Sequence, residues 1–354
     1  MLDRERRLEI ARAAYRDIPL YSPDKTPAAV DLRDNTNLWG VPPAAARAIA
    51  DAAVAVTRYP TVYSTALKEQ IAAYVGATSD MIVTGCGSDE VLDSAIRAFG
   101  ATGDIFAHPD PTFHTAITFA QMSGLVPVAV PLTESWDADT DAFVAAKPRV
   151  TYLCSPNNPT GTAMSRAAIE RVVAATSGLV IIDEAYAEFA GTSAVDLTRR
   201  SDRILVTRTF SKAFGLAGLR IGYGVGSPAL VREVEKARGP YTVNMIAERA
   251  AGAALTGDLD WVRAHVAEAV ANRVRLAGAL TEMGLPPLPS AANFLLVPVP
   301  RAIPLARRLI ELGVGVRPYA ALPRIGDAIR ITVGPWLMLE TFLAALATAR
   351  AEGA

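Results

Sequence analysis

Short apolar segments alternate with amphipathic segments through the middle of the chain. Between about Met81 and Glu235, runs rich in Val, Ile and Leu are separated by stretches in which apolar residues recur every three to four positions. The runs predict buried strands and the stretches predict helices. Together they favour an α/β fold with a mainly parallel sheet between helices. The predicted strands are Met81–Thr84, Ile105–Ala107, Val126–Val130, Val150–Cys154, Leu179–Ile182, Ile204–Thr207 and Arg220–Val225, and the helices between them include Val91–Phe99, Thr115–Met122 and Ala167–Ala175.

The pattern changes after about residue 240. A long helical stretch, Leu259–Met283, is followed by a Pro-rich turn and by further strand and helix patterns. These patterns predict a second, smaller α/β unit. We therefore expect a large domain over 31–240, with 1–30 and 241–354 forming an N-terminal arm and a small domain. The predicted elements of the small unit are strands at Phe294–Val297 and Ile329–Val333, a helix at Leu305–Leu312 and a terminal helix from Leu337.

Composition narrows the possible functions. The chain has 354 residues, of which 51% are hydrophobic and 20% charged, with a formal net charge of −1. Near-neutral charge argues against nucleic acid or an anionic membrane surface as a partner. The two cysteines, Cys86 and Cys154, fit neither a disulfide framework nor a metal motif, so we expect free thiols and no metal. With no secretory signal and no apolar run of the ~20 residues needed for a membrane span, we expect a soluble cytoplasmic protein.

Lys212 is the most informative residue. It lies among small and apolar residues between Thr209 and Leu219, with Ser211 before it and Arg220 after it. An ammonium group in such surroundings is costly, so the amine tends to lose its proton and become nucleophilic. A neutral amine beside a hydroxyl and a guanidinium suits a Schiff base with a carbonyl cofactor that carries a phosphate. This arrangement suggests pyridoxal phosphate chemistry.

Two further strand ends carry groups that suit such a cofactor. Asp183 ends an apolar run and could pair with a protonated pyridine nitrogen, which keeps the ring an electron sink. Tyr186, just beyond it, could donate to the ring's phenolic oxygen. The rigid turn Ser155–Gly161 could present one Asn amide to the same oxygen. Asp183 as the cap of the next turn, and Ser155–Gly161 as an ordinary turn, are the alternatives.

A glycine-containing turn between a strand and a helix suits a phosphate. In Gly85–Glu90 the glycines allow close backbone approach, Ser88 is a good N-cap, and free N–H groups of a first helical turn attract anions. Ser211 and Arg220 can add charge-assisted bonds to the same phosphate. A dinucleotide fingerprint is the rival interpretation, but Ser-Asp-Glu stands where its third glycine is required.

An aromatic residue and an arginine complete the set. Phe113 opens a helix after a strand and could stack on the cofactor ring, although a core phenylalanine is the ordinary explanation. Arg330 interrupts an apolar strand of the small unit and could grip a carboxylate with two parallel bonds, although an internal salt bridge would also explain it.

With these residues in this order, the chain resembles the fold-type I pyridoxal-phosphate-dependent aminotransferases, and most closely the histidinol-phosphate aminotransferase family. The resemblance runs from about Tyr21 to the C-terminus, and it is strongest in Ser155–Gly161, Asp183–Tyr186, Thr209–Tyr223, Ser290–Phe294 and Arg330–Gly334. It implies amino transfer between glutamate or 2-oxoglutarate and a small oxo substrate. Histidinol phosphate with imidazole acetol phosphate is the pair we expect, in histidine biosynthesis.

The resemblance also assigns roles to residues. It implies that Lys212 binds the cofactor covalently, that Asp183 faces the pyridine nitrogen, and that the remaining cofactor contacts come from Asn158, Tyr186, Phe113, Ser88, Asp89, Ser211 and Arg220. Tyr63 matches a tyrosine that reaches the neighbouring subunit's phosphate site, which implies a homodimer with shared active sites. Arg330 would bind the substrate's α-carboxylate, Arg317 and Tyr21 would bind its phosphate, and Asn35 would also line the substrate site. Arg317 as a plain surface arginine is the alternative.

The sequence departs from the family pattern on the substrate side. Asn35–Gly40 reads Asn-Thr-Asn-Leu-Trp-Gly where the family usually reads Asn-Glu-Asn-Pro-Tyr-Gly, and Ala116 stands where a second tyrosine often follows the stacking aromatic. Trp39 and Ala116 therefore keep open an aromatic or other amino acid aminotransferase. A decarboxylase of a phosphorylated amino acid shares the framework. An NAD-binding or other ligand-binding protein without catalysis is the third alternative.

Overall fold

A computed structural model describes residues 10–353, and its largest element is a seven-stranded sheet. The strand order is β2-β8-β7-β6-β5-β3-β4; β8 runs antiparallel to both its neighbours and the other pairs are parallel. The expected α/β fold with a mainly parallel sheet is confirmed. The strands are β1 (Val30–Asp31), β2 (Ile82–Cys86), β3 (Ile105–Asp110), β4 (Val126–Pro131), β5 (Val150–Cys154), β6 (Leu179–Asp183), β7 (Ile204–Thr209), β8 (Ile221–Val225), β9 (Phe294–Pro298), β10 (Val314–Gly315), β11 (Arg317–Leu322) and β12 (Gly326–Thr332).

Helices cover both faces of this sheet. In β6, Val180 and Ile182 join one hydrophobic cluster, while Ile181 between them joins the cluster on the opposite face. Strands buried on both faces read as continuous apolar runs, which is why the sequence signal was clear. The helices of the described chain are α1 (Pro43–Ala52), α2 (Thr65–Val75), α3 (Gly87–Phe99), α4 (His114–Met122), α5 (Thr140–Ala145), α6 (Arg166–Ala175), α7 (Ala187–Ala190), α8 (Pro228–Arg238), α9 (Met245–Gly257), α10 (Leu259–Glu282), α11 (Ala302–Glu311) and α12 (Trp336–Ala351).

A second sheet forms near the C-terminus. Its order is β11-β12-β9, all antiparallel, and Arg317 on β11 pairs with Arg330 on β12. A short parallel pair joins β1 to β10, so Val30 and Leu32 enter the hydrophobic cluster of this unit. Helix α9, beyond residue 240, instead contributes Ala250 to the cluster against the large sheet. The domain division at residues 30 and 240 stays a prediction.

Differences from the predicted elements have local causes. β8 begins at Ile221 rather than Arg220, because Arg220 has a left-handed φ of 53°. α9 escaped prediction because it is rich in buried alanines and has no polar stripe, although its N-cap Asn244, which accepts from the Ala247 N–H, was a readable start signal. β11 contains Pro318 and lacks alternation, so its pairing with β12 defines it. Helices α1 and α2 were not predicted.

The prediction that no secretory signal is present concerns residues 1–9, which lie outside the described residues. Within residues 10–353, none of the helices combines the length and apolarity that crossing a bilayer requires.

Strand β8 passes so close to the start of α3 that Gly222 has no room for a side chain. A Cβ at Gly222 would lie 2.2 Å from the backbone nitrogen of Ser88. We expect Gly222→Ala to lower the free energy of unfolding by about 1–3 kcal/mol, since backbone must shift to relieve the overlap. Gly218→Ala is the matched control, because a Cβ there meets nothing within 4 Å. Denaturant unfolding measures both; equal losses in the two variants would contradict this account.

Candidate active site

The carboxyl ends of the parallel strands open into a cavity of about 510 Å³. Ligands of open α/β sheets bind at this edge, so the loops after β3, β5, β6 and β7 all contribute to the lining. Among the sequence-predicted site residues, the cavity wall brings together Tyr21, Asn35, Ser88, Asp89, Phe113, Asn158, Asp183, Tyr186, Ser211, Lys212, Arg220, Arg317 and Arg330. Tyr63 is the predicted residue that does not line it.

Lys212 follows β7 and projects its amine into this cavity. Its Nζ donates to the backbone oxygen of Asp34 at 3.0 Å, and no described carboxylate lies within ion-pairing distance. Withdrawal from water, together with the positive charge of Arg330, lowers the pKa of the Lys212 amine to about 8. A substantial fraction of the amine is therefore neutral near physiological pH and can act as a nucleophile or a base.

Asp183 ends β6 and is 3% exposed. Its Oδ2 accepts from the Tyr152 hydroxyl at 2.7 Å and its Oδ1 accepts from the Ala185 N–H at 3.2 Å. No Lys, Arg or His of residues 10–353 makes an ion pair with it. Burial raises the pKa of Asp183 to about 6, against the lowering effect of the Tyr152 hydrogen bond. A carboxylate held by neutral donors alone is suited to a cation that arrives with a ligand.

Tyr186 and Asn158 are oriented by their neighbours. The Tyr186 hydroxyl accepts from Asn35 Nδ2 at 3.1 Å, which leaves the phenolic proton to donate into the cavity. The Asn158 Oδ1 accepts from Arg330 Nη1 at 2.6 Å, which fixes the amide so that its NH₂ is the group left to donate. Phe113 lies at the start of α4, partly buried, on the same wall. These side chains could bind an oxygen and a flat ring.

The N-terminus of α3 forms the anion end of the cavity. Ser88 was predicted to be the N-cap, but this is wrong: Cys86 occupies the cap position and Ser88 lies inside the first turn. Gly87 has a left-handed φ of 77°, which brings the first turn to the cavity edge. The Cys86 side chain makes no cap hydrogen bond, and Glu90 Oε2 accepts from the Cys86 N–H, which leaves the N–H groups of Ser88 and Asp89 for an anion.

Arg220, the residue before β8, completes this anion end. Its Nη2 donates to Asp89 Oδ2 at 3.0 Å and its Nη1 lies 3.5 Å from Ser211 Oγ. Asp89 was predicted to contribute its backbone N–H, and here its side chain also orients the guanidinium. The arrangement places one hydroxyl and one cation beside the free N–H groups of α3, as a bound phosphate requires.

Two arginines from the second sheet form the other end. Arg330, 5% exposed, donates from Nη1 to Tyr319 Oη at 3.0 Å and from Nη2 to the Arg33 carbonyl at 2.6 Å, and its Nε has no partner. No described carboxylate pairs with it, so the internal salt bridge is wrong as an explanation. Arg317 does have an acidic partner: its Nη2 donates to Asp34 Oδ1 at 2.8 Å.

Tyr63 lies elsewhere, on the surface of the isolated chain. It is 45% exposed, and its ring contacts the cations of Lys68 and Arg238 at 5.7 and 5.6 Å. Tyr21 is 82% exposed although it lines the cavity mouth. Tyr152, Tyr319 and Asp34 were missed by sequence reasoning. Nothing in the sequence separates Tyr152 from its buried strand or signals the hydrogen bonds of the other two.

The chain was compared with known proteins. Residues 28–346 match the family described as aminotransferase class I and II. This chain belongs to that family. It is 37% identical to an aromatic amino acid aminotransferase of Rhodococcus jostii (strain RHA1), with 94% of each chain covered, and 41% identical to a histidinol-phosphate aminotransferase of Roseiflexus castenholzii (strain DSM 13941 / HLO8), with 86% of this chain and 85% of that one covered.

A solved structure supports the same family. The histidinol-phosphate aminotransferase of Sinorhizobium meliloti, crystallised in complex with pyridoxal-5'-phosphate, superposes with a TM-score of 0.90 at 26% identity, covering 98% of this chain and 99% of the other. The chain is thus an aminotransferase with the fold-type I architecture. The non-catalytic NAD- or ligand-binding alternative is set aside.

The residues of this aminotransferase fit the family's cofactor, pyridoxal 5'-phosphate. Asp183 is a buried carboxylate without a cation, and Lys212 is an amine without a carboxylate. A Cβ on Gly87 would lie 2.7 Å from Arg220 Nη2, so this glycine lets the guanidinium lie against the first turn of α3. Asp183, Lys212 and Ser211 would therefore hold the ring nitrogen, the aldehyde carbon and the phosphate, respectively.

In the cofactor-free protein, the positive charge of Arg330 should contribute to the lowered pKa of the Lys212 amine. Removing its positive charge in Arg330→Gln favours the ammonium form, so the pKa of Lys212 should rise from about 8. Trinitrobenzenesulfonate labelling across pH, with peptide mapping of Lys212, measures this midpoint. Arg301→Gln, an exposed arginine that does not line the cavity, is the control. An unchanged midpoint in Arg330→Gln would show that the two groups do not interact.

Proposed function

We propose that this aminotransferase uses pyridoxal 5'-phosphate to move an amino group between glutamate or 2-oxoglutarate and a second small oxo substrate. The observation that carries this function is that two groups line the same cavity: the Lys212 amine, whose pKa is lowered, and the buried Asp183 carboxylate, which has no cationic partner. When bound, the cofactor supplies an aldehyde that accepts the amino group and a ring that stabilises negative charge at the substrate's α-carbon.

The chain's own residues have separate tasks. Lys212 Nζ removes the proton from the substrate's α-carbon, and a pKa of about 8 leaves enough neutral amine for this near neutral pH. Asp183 keeps a positive charge at the ring nitrogen. Tyr186 and Asn158 donate to the ring oxygen, and Arg330, which has only neutral partners, holds the substrate's carboxylate. Because one cavity serves both substrates in turn, we expect ping-pong kinetics.

Two substrate classes are candidates for the second reaction partner. Histidinol phosphate is supported by the sequence resemblance and by the names of several relatives, with Arg317 and Tyr21 as the phosphate contacts. An aromatic or other amino acid is supported by the ion pair between Arg317 and Asp34, which occupies a phosphate-binding donor, and by the name of the Rhodococcus relative.

We also propose a homodimer in the cytoplasm, with Tyr63 reaching the partner's phosphate site. Tyr63 is half exposed and does not line the cavity of its own chain. Exposed apolar residues accompany it in sequence, with Val54 89%, Tyr59 84% and Val62 38% exposed. An apolar surface of this kind is typical of a protein interface.

Replacing Lys212 should abolish amino transfer. Lys212→Ala removes both the covalent attachment and the proton carrier, so we expect turnover to fall by at least about 10⁴-fold. The assay follows histidinol phosphate with 2-oxoglutarate, and glutamate with aromatic keto acids. Wild-type protein should also show a visible absorption band that borohydride abolishes. Normal turnover in the variant would refute the function, and carbon dioxide release from the amino substrate would indicate a decarboxylase.

Hybrid dimers can test the role of Tyr63. Tyr63→Ala should weaken cofactor binding, and Lys212→Ala should be inactive. In a mixed dimer, the Tyr63→Ala subunit keeps its Lys212 and receives an intact Tyr63 from its partner, so one site is complete. We expect activity of the re-equilibrated mixture to exceed the mean of the two parents. Tyr59→Ala, which alters a neighbouring exposed tyrosine, is the control. Activity that only averages would argue against a shared site.

A further inference from the structure

Arg317 and Arg330 are neighbours across the β11–β12 ladder, yet they differ in their partners. Their α-carbons are paired in the register of the two strands, and both side chains line the cavity. Arg330 binds only neutral oxygens, with its Nε unpartnered. Arg317 donates to the carboxylate of Asp34. The substrate end of the cavity therefore has one guanidinium without an acidic partner and one that is already paired with an acid.

Asp34 is held between two cations. Its Oδ2 accepts from Lys25 Nζ at 2.5 Å and its Oδ1 accepts from Arg317 Nη2 at 2.8 Å. Burial opposes its ionisation, but the hydrogen bond and charge of Lys25 and the charge of Arg317 outweigh burial and keep the pKa of Asp34 below its usual value. Asp34 is thus an anion at every pH at which the enzyme would work.

The backbone around Asp34 is fixed in place. The carbonyl of Asp34 accepts from Lys212 Nζ, and the next residue, Asn35, has a left-handed φ of 53°. The Asn35 N–H donates to Thr332 Oγ1 at 2.9 Å and its carbonyl accepts from Asn293 Nδ2 at 3.0 Å. The two Asn35 bonds hold this backbone against the second sheet, so the Asp34 carboxylate has a defined position beside Arg317.

The local charge decides what this end accepts. Within the group formed by Lys25, Asp34 and Arg317, two positive charges and one negative charge leave a single net positive charge, while the charge of Arg330 is left for the α-carboxylate. A carboxylate matches the single charge of this group. A phosphate monoester, with a second pKa near 6, carries almost two charges at pH 8 and would face the Asp34 carboxylate. Like charges in contact are disfavoured, and one donor of Arg317 is already committed. The Arg220–Asp89 pair at the other end of the cavity differs, because the first turn of α3 adds N–H donors beside it.

We propose that Asp34 is a specificity residue that selects carboxylate substrates over phosphate monoesters in this cavity. The selection rests on the proposed function, since it assumes that this cavity is the substrate site. The proposal assigns amino and oxo acids to the enzyme as substrates, with the α-carboxylate bound by Arg330. The group formed by Lys25, Asp34 and Arg317 accommodates a second, singly charged carboxylate such as that of glutamate. Histidinol phosphate lacks the carboxylate and carries the disfavoured group.

Two non-reacting anions test this with the cofactor-loaded enzyme. Glutarate and the phosphate monoester of 3-hydroxypropionate each offer one carboxylate to Arg330 and differ in charge at the other end, and calorimetry at pH 8 gives both dissociation constants. Wild type should bind glutarate more tightly. Asp34→Asn should strengthen binding of the phosphate at least about tenfold and that of glutarate by about threefold, because the effect of a removed charge scales with the charge at that end of the ligand.

Asp24→Asn is the matched control. It removes the same charge from the same segment, but Asp24 does not line the cavity and hydrogen-bonds Thr26. If Asp34→Asn does not fold, Lys25→Gln serves instead: it should weaken binding of the phosphate about tenfold and that of glutarate less. Equal changes for both anions, or an equal effect of Asp24→Asn, would overturn the proposal.

The binding constants and the amino-transfer assay of wild type together separate this proposal from the enzymatic function. Loss of discrimination in Asp34→Asn, together with no amino transfer by wild type to any keto acid, would leave the charge selection standing and refute the function. Amino transfer by wild type, with tighter binding of the phosphate than of glutarate, would support the enzymatic function and refute the charge selection. Each binding constant is measured without turnover, so the two outcomes cannot be confused.

Discussion

The site depends on one constraint: the Asp183 carboxylate and the Lys212 amine line the same cavity but form no ion pair with each other. Asp183 is held by the Tyr152 hydroxyl and the Ala185 N–H, and Lys212 by the Asp34 carbonyl, so neutral groups fix both positions. Neutral hydrogen bonds orient a charge without cancelling it. Burial then moves the pKa of the acid up and that of the amine down. A direct ion pair between them would have erased both the reactive amine and the site for a ring cation.

The sheet makes this separation possible. Cys154 pairs with Asp183, so β5 and β6 end level, while β7 continues to Thr209 beyond Thr207, the partner of Asp183. The loops that follow start from one edge and diverge over the same cavity. Antiparallel β8 lies between β7 and β2 and brings Arg220 and Gly222 to the first turn of α3. The anion end therefore depends on the one strand that breaks the parallel pattern.

The substrate end has a different origin. It combines the segment around Asp34 with β11 and β12, which are distant in sequence: Arg330 donates to the carbonyl of Arg33 across 297 residues. The charge of this substrate end is coupled to the cofactor end, because Arg330 lowers the pKa of the Lys212 amine. Relatives that share most of the chain's length carry both aromatic and histidinol-phosphate names. A change as small as an acid beside Arg317 has the physical means to separate such substrates.

The sequence alone determined the fold class, most of the large-sheet strands and the residues at their ends. Buried parallel strands read as continuous apolar runs, and a lone Lys212 or Asp183 among apolar residues is conspicuous. Tertiary structure decided which groups pair. It gave Arg317 an acid and left Arg330 without one, and it placed Tyr63 outside the cavity. Local pattern carries burial and periodicity, whereas partners separated by hundreds of residues meet only when the chain has packed.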